Sequence, residues 1–142
     1  MKLFFHVFPL VTLLSCATSE QGIKVRAQSP PIDEAFRKMS LALTADGYMM
    51  EKIDPAQHTL ETGWREMKEK EKSTSDTARQ TLGESRIGLR MSHRGTFYEV
   101  VVTPMLRHDG GMVTVADLHH PLREKWQRII HTLLERESRD ED

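Results

Sequence analysis

The stretch "SRIGLRMSHRGTFYEVVVTPML" (85–106) leaves this chain little choice of fold. In its first half Ile87, Leu89 and Met91 share one face, with Arg86, Gly88 and Arg90 opposite, the period of a half-buried strand. An Arg-Gly pair then turns the chain, and a run rich in β-branched and aromatic residues follows, with Pro104 marking the strand's exit or a bulge. Two such runs joined by a tight turn are a hairpin at the centre of an antiparallel sheet.

The flanking segments build outward from it. Upstream, runs 48–53 and 59–66 border "DPAQH", a turn sequence, and Leu60, Thr62 and Trp64 alternate with Thr59, Glu61 and Gly63. A second hairpin follows. Downstream, "MVTVAD" after "RHDGG" supplies a small fifth strand. Residues 31–46 read as a helix: Asp33 and Glu34 suit its positive amino end, Ile32, Phe36, Met39 and Leu43 share a face, and Gly47 is a left-handed cap. Pro121 suits a helix's first position, and Leu122, Trp126, Ile129, Ile130 and Leu133 form the apolar stripe that follows. Residues 66–81, mixed in charge and poor in apolar side chains, read as a solvated, mobile connection or an extended hairpin tip, with a frayed helical turn over residues 65–72 as the other reading.

The order α-β-β-β-β-α, with striped helices and alternating strands, implies an α+β domain over residues 31–136. Its antiparallel sheet of four to five strands carries the N-terminal and C-terminal helices on one face. The other face needs solvent or a partner. Residues 137–142 are an acidic tail.

The amino-terminal part reads as an export signal. Met1 and Lys2 precede twelve mostly apolar residues, 3–14, too few to span about 30 Å of hydrocarbon as a helix. "LLSC" then resembles the lipobox of bacterial lipoproteins, which implies that residues 1–15 are removed and that Cys16 is lipidated and becomes the first mature residue. In the competing reading Ser15 and Ala17 form an ordinary signal-peptidase site and the thiol is discarded. Residues 16–30, polar, small and proline-ended, read as a flexible tether. Loss of Lys2 leaves 19 basic and 21 acidic residues, a net charge of −2, which predicts no nucleic-acid partner. A single cysteine excludes an internal disulfide, so the fold rests on its core.

Within residues 35–64, Ala42, Leu43, Gly47, Asp54, Leu60, Thr62 and Trp64 carry a family resemblance: a helix ending in an Ala-Leu…Gly phrase, a strand, an Asp-led turn and an aliphatic-x-Thr-x-Trp strand. The pattern is similar to the domain of BamC, an outer-membrane lipoprotein of the barrel-assembly machinery, although His58 or Thr59 stands where that family often has Gly. The resemblance implies a helix-grip-like arrangement and a non-enzymatic accessory role at the envelope. By resemblance again, Ala17 beside Cys16, in place of the Asp that holds many lipoproteins at the inner membrane, implies an outer-membrane anchor facing the periplasm.

Little in the chain carries catalysis. Seven histidines include His108 next to Asp109, and His119 and His120 near Asp117 and Glu124, yet there is no HExxH and no cysteine pair. Pro121 places His120 at a helix edge, where capping or exposure is its ordinary role. No Gly-x-Ser-x-Gly or Ser-x-x-Lys sets up a nucleophile. Neither a metal, a cofactor nor an enzymatic activity is expected. Trp64 and Tyr98 are the candidate partner-binding residues, with core packing as the other reading of both; Trp126 reads as core, and Met49 and Met50 as one exposed and one buried. The expected function is a lipid-anchored scaffold that binds another envelope protein, with a small-ligand binder and then a small hydrolase as alternatives.

Overall fold

The 85–106 hairpin forms as its alternation dictates. A computed structural model describes residues 22–73, 83–108 and 111–135. In it β5 (Glu84–Arg94) and β6 (Phe97–Arg107) pair along their whole length, from Glu84 opposite Arg107 to Arg94 opposite Phe97, and turn at Gly95. Around them lie β1 (Ile23–Ala27), β2 (Met50–Asp54), β3 (Thr59–Thr62), β4 (Arg65–Glu66) and β7 (Val113–Val115). The described residues thus form one seven-stranded antiparallel sheet, ordered β1-β6-β5-β3-β2, with β4 pairing β5 and β7 pairing β6. The fold is α+β as expected, with seven strands rather than four to five.

Two differences from the sequence reading have plain causes. Residues 23–27 fall within the expected tether yet form β1, which pairs with β6 from Ile23 opposite Val102 to Ala27 opposite Tyr98. "IKVRA" is five residues of apolar–polar alternation inside polar flanks, too short to register alone; the apolar rim of β6 supplies its partner. Residues 66–73, expected as solvated connection with a frayed helical turn as the second reading, hold the end of β4 and a 3-10 turn at Glu69–Glu71, and bury Met67 and Glu71. Residues 16–21 and 74–81 lie outside the described residues.

The core sits on one side of the sheet. Helix α1 (Ile32–Ala45) buries Ile32, Ala35, Phe36, Met39 and Leu43; α2 (Pro121–Glu135) buries Leu122, Trp126, Ile130 and Leu134. The two helices touch each other, α2 lying on β1 and β6 and α1 on β5. They cover Ile23, Ile87, Leu89, Met91, Val100, Val102 and Leu106, while Trp126 is wholly inaccessible. Burial of such side chains contributes about 1.5–3 kcal/mol each.

Gly47 ends α1 as expected. Its φ of +91° is the left-handed conformation, Gly47 N–H donates to Thr44 O at 3.0 Å and Tyr48 N–H to Leu43 O at 3.1 Å. This 6→1 and 5→2 pair is the Schellman closure, which satisfies carbonyls the helix itself cannot. Thr62, fully buried, continues the β3–β5 ladder through its side chain: its hydroxyl accepts from Ile87 N–H at 2.9 Å and donates to Gly63 O at 3.0 Å. Met49 and Met50 divide as expected, the first 79 % exposed and the second packed against the core.

Candidate interaction face of the sheet

Sequence neighbours Trp64 and Arg65 serve opposite sides of the sheet. Arg65 points toward the helices, where its guanidinium holds Glu71 through both oxygens at 2.8 and 2.7 Å and Asp46 at 2.8 Å, and lies 4.0 Å over the Tyr48 ring. Lys125 of α2 reaches the same carboxylates at 2.8 Å and 3.0 Å, and Lys68 reaches Asp46 at 3.0 Å. Burial alone would push the Asp46 carboxyl up; hydrogen bonds from Lys125, Lys68 and Arg65 outweigh it and hold the group below its ordinary 3.8. Glu71 is likewise held down, burial being outweighed by Arg65, the Lys68 N–H and Lys125. Tyr48, which shares a 2.7 Å hydrogen bond with Ser85, is pushed up to about 12 by burial. This buried cluster ties the end of α1, β4, the 3-10 turn and α2 together; its carboxylates are each held by several donors, while Arg65 Nε is buried without a hydrogen-bond partner.

The opposite face is open. Trp64 lies there with Arg86 5.0 Å and Arg107 4.5 Å from its ring centre, and Arg107 also pairs with Glu84. A second such contact, Arg26 5.1 Å over Phe97, lies toward the β5–β6 turn. Between them runs a trough of about 600 Å³. Its origin is one cross-strand row with small residues at its centre: Thr103 of β6 opposite Gly88 of β5, which is opposite Glu61 of β3 and then Lys52 of β2. Gly22 completes the row against Thr103, where a Cβ would lie 2.8 Å from the Thr103 hydroxyl and 2.9 Å from Val101. A Cβ on Gly88 would meet nothing nearer than 3.9 Å. Gly22 is therefore glycine for close approach, whereas Gly88 leaves a gap in the floor. Arg90, two residues along β5 from Gly88 on the same face, lines the trough with Lys52, Asp54 and Glu61, whereas Arg86, two residues the other way, lies by Trp64.

The residues singled out by sequence fare differently. Trp64 is half-buried on the open face, so it belongs to a surface and not to the helix-side core. Tyr98 is corrected: it is 3 % exposed, donates its hydroxyl to Pro30 O at 2.7 Å and is pushed up to about 12 by burial, so it anchors the segment before α1 and offers no surface. Cys16 lies outside the described residues, as does Asp109. His108 meets Thr114 at 3.2 Å, and buried His120 accepts from Leu122 N–H at 3.2 Å, capping α2. Among the described residues no three of His, Cys, Asp and Glu gather to hold a metal, and no helix is long and apolar enough to cross a membrane. The sequence displayed the Arg86–Gly88–Arg90 series but not its role, since a trough depends on which glycine of a neighbouring strand falls into the same row.

Searched against protein-family models and against curated proteins, the chain matches none.

Proposed function

We propose that this chain is a lipid-anchored, non-enzymatic envelope lipoprotein, held through an acylated Cys16, that acts as an accessory or scaffold module by binding another envelope protein. The BamC-like phrase of residues 35–64 extends the proposal to a helix-grip-like domain at the outer membrane, facing the periplasm and serving outer-membrane protein assembly. The observation that carries the binding role is the open face: five strands wide, with a glycine-floored trough and a half-buried tryptophan between two arginines, opposite a face already filled by both helices. Exposed concavities of mixed apolar and polar character are the usual seats of recognition. A lipid on Cys16 would be seven residue steps from the start of β1 at Ile23, within about 25 Å of the sheet at most.

Affinity purification of the intact chain from membranes tests the binding role; a stoichiometric envelope partner is the expected result, and recovery of the chain alone defeats it. Cys16→Ala tests the anchor. Lipid incorporation should vanish, and unchanged membrane association of a cleaved, unlipidated protein would replace the lipoprotein reading with ordinary secretion.

A further inference from the structure

Resting on the lipoprotein reading, we infer that the β7 edge of the sheet seats on the lipid bilayer, with Met112, Val113 and Leu118 entering it at headgroup depth. Among the described residues six large apolar side chains are exposed, and three of them fall within residues 112–118. Exposed apolar side chains gathered in this way mark an interaction site. The stretch carries no lysine or arginine and a single acid, Asp117, which accepts from His119 N–H at 3.1 Å. Its attraction is therefore apolar and not electrostatic.

Position selects the bilayer as the occupant. β1 and β7 share one edge of β6, end to end: Gly22 enters the sheet beside Thr103, and Ala116 N–H donates to Pro104 O at 2.9 Å. The Arg123 guanidinium spans the junction, donating to Gly22 O at 3.2 Å and to Ala116 O at 3.4 Å. Chain entry and apolar stretch are thus neighbours. A lipid on Cys16 lies six residue steps before Gly22, about 22 Å at most, so the anchor holds this edge near the membrane. The β2 edge is four strand spacings away, roughly 19 Å farther. A second copy suits the surface less well, because β7 is three residues long and offers little ladder for strand addition. Shallow seating is also what the backbone permits: unpaired edge N–H and C=O groups keep their water at headgroup level and lose it in hydrocarbon. Apolar side chains beside a lipid add a second attachment, and an edge-on seat leaves the open face, with Trp64, turned along the membrane toward another envelope protein.

The lipidated full chain is reconstituted in phosphatidylcholine vesicles with an environment-sensitive nitrobenzoxadiazole label on Val113→Cys, on Leu118→Cys or, at the opposite edge beside β2, on the exposed Met49→Cys. Cys16, the one native cysteine, is acylated and takes no label. Emission at 113 and 118 should shift to the blue and be quenched by doxyl-labelled lipid, and emission at 49 should do neither. Met112→Ser with Leu118→Ser should abolish the quenching at 113 at an unchanged melting temperature, since both side chains are exposed. The inference falls if 113 and 118 stay in water, if 49 is quenched alike, or if the double variant leaves the quenching intact. It falls too if the labels are shielded without lipid quenching, which assigns the edge to a second copy. Should it fall in a chain that carries lipid on Cys16, the lipoprotein reading stands; absence of that lipid, read by mass spectrometry, removes the reading and this inference with it.

Discussion

Arg65 and Arg86 both lie over an aromatic ring, yet their surroundings assign them different work. Arg65 is closed in by Tyr48, Glu71 and Asp46, its side chain 11 % exposed, with every carboxylate it meets shared with a lysine. Arg86 stands beside Trp64 on the open face, its side chain 27 % exposed and its nearest carboxylate, Glu61, at 3.8 Å. A buried charge is tolerated only when paired and hydrogen-bonded, so the helix side is a sealed structural network. On the open side the ion pairs of Arg86 and Arg107 are partly solvated, so each contributes less to stability.

Perturbations should therefore be costly on one face and mild on the other. Trp126→Ala empties the centre of the helix side and should destabilise the domain by about 3–5 kcal/mol in chemical denaturation; a loss under about 1 kcal/mol would mean that α2 is not packed as described. Arg65→Ala comes next, at about 3 kcal/mol, since Glu71 and Asp46 stay buried with lysines alone to compensate them. Replacing residues 67–73 with a Gly/Ser link should cost a comparable amount, because it removes Met67, Glu71 and the 3-10 turn; an unchanged thermal melt would show that the segment is the solvated connection its composition suggests.

The same cluster predicts acid sensitivity. Asp46 and Glu71 have folded-state pKa values below their ordinary 3.8 and 4.5, so their stabilisation is present above those values and is lost as pH falls through the depressed folded ones. Unfolding free energy should drop below about pH 4.5, and the drop should be shallower in Arg65→Ala. An equally steep acid limb in that variant would place the titrating groups elsewhere. The smallest effect belongs to the open face: Arg107→Ala should cost less than about 1 kcal/mol, since its contacts with Trp64 and Glu84 are partly solvated. A loss approaching that of Arg65→Ala would erase the distinction between the faces.

Much of this architecture was legible in residue order alone, because its causes are local. Strand alternation around Ile87, Leu89 and Met91, the stripe through Trp126, the Gly47 cap and the division of Met49 from Met50 each depend on periods of two or 3.6 residues, or on one residue's permitted φ. So does the helix-edge role of His120. Other features have causes that no window contains. "IKVRA" becomes a strand because β6, more than seventy residues on, offers an unpaired edge; "REMKEKE" becomes packed structure because Asp46 and Lys125 meet it from two helices. Tyr98 and Trp64, alike as amphipathic aromatics, part because Pro30 O lies within reach of one and two arginine side chains beside the other. The sequence by itself determined both helices, the two hairpins and the short strand after them, in their order, but not β1, β4 or the 3-10 turn. Tertiary structure alone decided which charges are sealed, and that Gly22, Thr103 and Gly88 fall into one row to open a trough, since register joins residues that local chemistry keeps apart.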